Sequence, residues 1–302
     1  MPLRTDPVRL IELGRTLRAA ALDPIESVIQ VRERVAERHE LAAKKKYGGG
    51  FMPWPPCPYE VDPDWERKLH DLLGVEWPCA ETGEFWQLWE DVLESLRRGG
   101  ISVGRGAFAG WGDAEPGLTR AVWCVSRHLQ PEKVVETGVA RGITTRFILE
   151  ALERNGRGAL WSIDLPPFRL DASLAKQIAA AVPERCRDRW TYVRGSSRRR
   201  LRNVLSECRT IELFVHDSSH SERNLRFELD QTWAFLAPDG VLVADDVDLN
   251  CGLHSFAREH PRQPALICRA EPLQPDPGRQ DDTGVFGVVG KRPLERAGPL
   301  QV

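Results

Sequence analysis

Acidic side chains close four short apolar runs of this chain: Glu136 follows Val134-Val135, Asp164 follows 159–163, Asp217 follows 211–216, and Asp245-Asp246 follow 241–244. In an open α/β sheet, ligands bind beyond the carboxyl ends of the strands, so these acids are expected to gather along one edge. The turn Gly138-Val139-Ala140-Arg141-Gly142 comes directly after the first of them. Glycine at 138 lets the backbone turn tightly and admits a ligand where a Cβ would block it. The carboxylates of Glu136 and Asp164 can accept hydrogen bonds from ribose hydroxyls. That chemistry suits a nucleoside. A dinucleotide site asks for G-x-G-x-x-G, and Ala140 stands where its second glycine belongs. A plainer reading remains, in which the glycines serve a tight turn and the acids are solvated.

Asp217, Asp245 and Asp246 would bring three like charges together, which calls for a cation, protonation or generous solvent. Oxygen-only ligands favour a hard ion such as Mg²⁺, with water and substrate completing its shell. The alternative is that Asp217 and Asp245 cap helices while Asp246 is solvated. His220, three residues after Asp217, is the residue type suited to removing a proton near neutrality, its ordinary pKa being about 6.5. It could equally be a backbone-bonded residue at a helix start. His216 and His254 are secondary candidates for the same task.

Glu136-x-Gly138-x-x-x-Gly142, followed by an acid at the end of the next strand, resembles the first motif of class I S-adenosylmethionine-dependent methyltransferases. Residues 216–247 resemble the metal-dependent O-methyltransferases of the macrocin type, related more distantly to catechol O-methyltransferase. In that family an aspartate ends the fourth strand, a histidine follows three residues later, and an acidic pair ends the fifth. Asp217, His220 and Asp245-Asp246 fall on those positions. The similarity spans roughly 115–290, while 1–80 match no named motif. It implies a Rossmann-like, mostly parallel seven-stranded sheet closed by a C-terminal antiparallel hairpin. It also implies S-adenosylmethionine bound by Glu136, Thr137, Gly138, Gly142, Asp164, Ser196 and Asp217. Asp217, Asp245 and Asp246 would then hold Mg²⁺, and His220 would be the base. The implied acceptor is a hydroxyl of a small molecule, a sugar or natural-product scaffold. Rival readings are a metal-independent N- or O-methyltransferase and a non-catalytic cofactor-binding scaffold subunit.

The elements that must position these residues follow from periodicity. Helices are expected over 85–97, 117–128, 172–181, 198–206 and 221–236, and strands at 190–194, 211–215, 240–244, 265–269 and 285–289. Alternating strands and helices argue for an α/β sheet covered on both faces. Residues 1–83 read as a helical extension with a loop rich in proline, glycine and aromatics at 46–65, a lid or an oligomer arm. Residues 84–302 read as the methyltransferase domain. Within the extension, Leu10, Leu13 and Leu17 form one apolar set and Ile25, Val28, Ile29, Val31 and Val35 another, split by Pro24. These are expected to pack on the core, pair with another subunit, or both.

Forty-two basic against forty-four acidic side chains exclude a general electrostatic attraction to nucleic acid or membrane. Clusters such as Lys44-Lys45-Lys46 and Arg198-Arg199-Arg200 read as solvated helix faces. Seven cysteines without a C-x-x-C pair fit neither a disulfide framework nor a zinc site, so reduced thiols are expected. No apolar run approaches a membrane span, and the polar start lacks a signal-peptide core. The expectation is a cytoplasmic protein and a homo-oligomer.

Overall fold

The computed structural model describes residues 21, 23–47, 59–104, 107–108, 116–166, 172–269 and 284–292. Five parallel strands form most of one sheet: β1 (Lys133–Thr137), β2 (Ala159–Asp164), β3 (Trp190–Arg194), β4 (Ile211–His216) and β5 (Leu236–Ala244). β6 (Ala265–Arg269) and β7 (Val285–Gly290) complete it in the order β3-β2-β1-β4-β5-β7-β6. β7 runs antiparallel to both of its neighbours, which is the expected C-terminal hairpin. Strand order reverses between β1 and β4, the switch point at which an open sheet leaves a crevice for ligand.

The strands are buried on both faces, and their side chains alternate between two cores. Val134, Leu213 and Val241 point to one, Val135, Phe214 and Leu242 to the other. The first core is filled by α2 (Trp65–Leu73), α3 (Glu81–Arg98), α4 (Pro116–Leu129) and α5 (Ile143–Asn155), with Trp89, Trp123 and Phe147 at its centre. Trp65 and Leu69 belong to that core together with Phe85 and Leu88. The second lies under α7 (Ser197–Cys208), α8 (Glu222–Trp233) and α9 (Gly252–Glu259).

Two expected elements change for physical reasons. The helix expected over 172–181 is only α6 (Ala172–Ala175), because Ala179 N–H donates to Ala140 O and Ala181 N–H to Arg141 O, both at 2.9 Å. Main-chain groups that a longer helix would have used bind the glycine turn instead. β5 begins at Leu236, where the preceding helix was expected to end.

The largest departure is α1 (Pro24–Tyr47). Ile25, Val28, Val31 and Val35 are exposed, whereas Glu26, Ser27 and Glu33 are buried. The helix docks through its acids. Leu10, Leu13, Leu17 and the 48–58 part of the aromatic loop lie outside the described residues.

Candidate functional site

The turn after β1 is pressed against the turn after β4. Gly138 has φ +88°, and a Cβ there would lie 1.7 Å from the carbonyl oxygen of Asp217, so glycine is required by contact as well as by conformation. Gly142 (φ +77°) precedes α5 and packs against Val182 and Ala179. Ala140 also adopts a positive φ, 46°, in the place where a glycine would meet no strain. Arg141 secures the turn by donating to Ser102 O at 2.7 Å and Ala107 O at 2.8 Å.

Glu136 is buried at the end of β1. Its Oε2 accepts from Thr145 Oγ1 at 2.8 Å and Ser162 Oγ at 2.7 Å, and burial pushes its carboxyl up to about 7 despite those bonds. Asp164 sits at the end of β2. One oxygen accepts from Val139 N–H at 3.3 Å and the other from Tyr192 Oη at 3.1 Å, and burial raises its pKa. Nothing in the sequence marks Tyr192 as facing the acid at the end of the neighbouring strand. Thr137 is buried and donates to Glu228 Oε2 at 2.5 Å.

α1 closes this side of the crevice. Ser196 N–H, at the start of α7, reaches both oxygens of Glu26 at 3.2 Å, while Ser196 Oγ is buried without a hydrogen-bond partner. Gln30 Nε2 donates to Pro166 O at 3.3 Å. Ser221 Oγ donates to Glu33 Oε2 at 3.1 Å, and Glu222 N–H donates to Glu40 Oε1 at 3.0 Å. Glu26, Glu33 and Glu40 stand seven residues apart, hence on one helix face. Their carboxylates meet the positive N-terminal ends of α7 and α8.

The acids ending β4 and β5 do converge. Asp217, His220 and Asp245 present ligand atoms within 4.8 Å of one another, all three half-buried. Asp246, in the left-handed region at φ 49°, places Oδ2 3.7 Å from His220 Nε2, and Asp217 Oδ1 is 4.0 Å from the same nitrogen. Burial, then the charges of Asp246, Glu136 and Asp164, push Asp217 well above the carboxylate range. The capping alternative does not hold for Asp217: the α8 N-cap is Ser221, whose Oγ accepts from Asn224 N–H at 3.2 Å.

The other two histidines are held elsewhere. His216 is fully buried, its Nδ1 2.6 Å from Glu228 Oε2, and its ring meets that of His220 edge to face at 5.6 Å. Burial of Glu228 is outweighed by His216, Ser197 and Thr137, which hold its carboxyl down at about 2. Its other oxygen accepts from Ser218 Oγ at 2.7 Å and Asn224 Nδ2 at 2.9 Å, so Glu228 supports the loop carrying His220 from below. Asn250 Nδ2 holds the main-chain oxygen of His220 at 2.8 Å. His254 N–H donates to Tyr59 Oη at 3.1 Å. Glu228 was readable only as part of an i, i+4 pair with Asn224, a pattern shared by many helix faces.

Residues 135–247 match the model of a family described as a methyltransferase domain. This segment resembles a methyltransferase domain. The match covers both the glycine turn and the acidic pair. Solved structures with similar chains include a Bacillus cereus O-methyltransferase in complex with SAH, at 14% identity and TM-score 0.47 over 74% of this chain and 96% of that one. Another is the Streptomyces achromogenes O-methyltransferase involved in tomaymycin synthesis, in complex with SAM, at 13% identity and TM-score 0.45 over 67% and 88%. A Geobacter sulfurreducens methyltransferase gives 16% and 0.44 over 76% and 98%. No curated protein matches the chain.

Proposed function

We propose that this methyltransferase transfers a methyl group from S-adenosylmethionine to a hydroxyl of a small molecule, assisted by Mg²⁺. The observation that carries the reading is the meeting, at one sheet edge, of a glycine turn with no room for a Cβ and the cluster Asp217, His220 and Asp245. Asp164 would accept the ribose hydroxyls, with Tyr192 steering its carboxylate, and Ser196 Oγ is a buried hydroxyl available to the nucleobase. Bound S-adenosylmethionine supplies an electrophilic methyl. Glu136 would join Asp164 at the cofactor, its Oε2 fixed by Thr145 and Ser162.

The donor set fits a hard ion: Asp217 and Asp245 offer oxygens, and a cation there would relieve the charges of Asp246, Glu136 and Asp164 that add to burial in raising Asp217. Asp246 lies beside this group. Bound Mg²⁺ would orient the acceptor and lower the pKa of its hydroxyl. His220, steadied by the ring of His216 and by Asn250, takes the proton at Nε2 while Asp246 and Asp217 face the resulting positive charge. α1 excludes water from the nucleoside side. One observation favours a metal-independent variant: the Nε2 that removes the proton is also the nitrogen closest to the acids, so a histidine–aspartate pair alone would serve.

The outward stripe of Ile25, Val28, Val31 and Val35 supports the homo-oligomer reading of the extension. The function is tested by titrating S-adenosylhomocysteine calorimetrically and by following S-adenosylhomocysteine release over a panel of hydroxylated sugars and aromatic aglycones. Binding, with turnover abolished by EDTA and restored by Mg²⁺, is the expected result. Full turnover in EDTA would select the metal-independent variant, and absence of cofactor binding would overturn both.

A further inference from the structure

A second group of metal-binding side chains lies on α2, α4 and the segment 74–80, none of which supplies a residue to the acidic edge. His70 of α2, Cys79 of that segment and Cys124 of α4 present ligand atoms all within 4.8 Å of one another. His70 Nε2 is 3.0 Å from Cys79 Sγ. His128 Nε2, one helical turn beyond Cys124, is 3.4 Å from the same sulfur. In a tetrahedral zinc site, with Zn–S near 2.3 Å and Zn–N near 2.05 Å, neighbouring sulfur and nitrogen ligands stand about 3.6 Å apart. The side chains therefore stand close to that spacing, in the Cys₂His₂ combination zinc prefers.

The surroundings are those of a closed site. His70 Nδ1 lies 2.6 Å from Glu66 O, a pure acceptor, so Nδ1 carries the proton and Nε2 offers its lone pair toward the sulfur. Trp77 covers the His70 ring at 4.6 Å, and His70 and Cys124 are 1% and 2% exposed, leaving no place for a substrate. Cys79 and Cys124 are both free thiols. A zinc ion would take both as thiolates and release their protons.

We propose that His70, Cys79, Cys124 and His128 bind one structural zinc ion, which ties α2 and the segment 74–80 to α4. The sequence gives little sign of it, because the four ligands come as two separated pairs, His70 with Cys79 and Cys124 with His128, and no C-x-x-C announces them. The ion would act on stability and leave methyl transfer untouched.

The test uses the whole chain, purified under reducing conditions. Elemental analysis should find about one zinc per chain, and exchange with Co²⁺ should give the intense visible bands of a tetrahedral ion with a thiolate-to-cobalt transition in the near ultraviolet. Cys124→Ser should lower zinc affinity by more than ~100-fold, beyond the range of losses from outer-shell partners. Because that variant removes a core side chain, His128→Asn at the half-buried rim and chelator competition on the wild type supply readings that need no core change. His128→Asn should weaken zinc and blue-shift the cobalt bands. Mg²⁺ should displace neither ion. Reduced wild type that takes up no zinc, a cobalt spectrum without the thiolate transition, or a Cys79–Cys124 disulfide as the resting state would each overturn the proposal.

Discussion

Asp217, His220 and Asp245 sit on turns that follow strands and stay half-exposed, whereas His70 and Cys124 sit on helices and are buried. The first group offers mainly oxygens and the second sulfur and nitrogen. Structural metal sites are closed and catalytic ones keep an open position, so the two clusters divide along that line. Burial, with neighbouring like charges adding to it, raises Asp217 and Glu136 at the acidic edge. At the sulfur cluster hydrogen-bonding neighbours hold the Cys79 thiol down. Elsewhere the cysteines behave unlike either cluster: Cys186, Cys208 and Cys268 are buried and free, while Cys251 is disulfide-bonded, against the expectation of uniformly reduced thiols.

The sharpest break between the clusters is kinetic. His220→Ala should lower the maximal rate by roughly 10²–10⁴ while leaving the unfolding midpoint unchanged, as loss of general-base catalysis does. The deficit should narrow as pH rises, since the acceptor hydroxyl then needs less help. Stopped rates for wild type and variant from about pH 6 to 10 at saturating Mg²⁺ decide it, and a ratio indifferent to pH would assign His220 to the metal shell instead.

Burial of carboxyls at the acidic edge gives the next effect. Glu136 has its folded pKa raised from 4.5 to about 7, so its contribution to stability is complete below 4.5 and is lost as pH rises through about 7. The loss amounts to on the order of 3 kcal/mol. Glu228 has the opposite sign: held down from 4.5 to about 2, it contributes above 4.5 and that contribution is lost as pH falls toward 2. Urea unfolding across this range should show wild type weakening between pH 4.5 and 7, and Glu136→Gln should weaken less there. Equal slopes for the two proteins would remove the assignment of this loss to Glu136.

The strand ends were legible because short apolar runs closed by acids are local features, and the seven-stranded arrangement came from the family resemblance. Asp217, His220 and Asp245 could be placed together because one sheet edge gathers them whatever the loops do. Glu228 and Tyr192 could not, since their roles depend on which strand or helix packs over which. α1 misled for a physical reason. Its valines and isoleucine mark an apolar face, but Glu26, Glu33 and Glu40 find unsatisfied amide groups at two helix starts, and that electrostatic match decides which face docks. The Cys₂His₂ group escaped because its members join only when three segments pack.

Cofactor affinity sharpens the comparison further, since it belongs to the acidic edge alone. Asp164→Ala should weaken S-adenosylhomocysteine by on the order of 1–3 kcal/mol, the cost of leaving hydrogen-bonding ribose hydroxyls without their acceptor. Calorimetry on zinc-loaded and zinc-stripped wild type should meanwhile give the same affinity. An unchanged constant for a folded Asp164→Ala protein would take the ribose away from this residue.

The smallest effect concerns the wall that only the acidic edge possesses. Glu26→Gln keeps the shape of the side chain but removes the charge facing Ser196 N–H and the start of α7, an exchange that ordinarily costs about 1 kcal/mol at a helix N-terminus. Arg199, 3.6 Å from Glu26 and 2.8 Å from Asp23, would keep one of its two acids, so α1 should loosen at its first turns rather than detach. Hydrogen exchange should therefore quicken several-fold in the amides of α1 and of 195–198, while those of α2 and α4 around the sulfur cluster keep their protection. If α1 closes the nucleoside side, the same variant should release S-adenosylhomocysteine faster with little change in its association rate. Equal exchange in α1 with and without the Glu26 charge would mean that the helix is held by Gln30, Glu33 and Glu40 alone, and the electrostatic account of its docking would fail at its first contact.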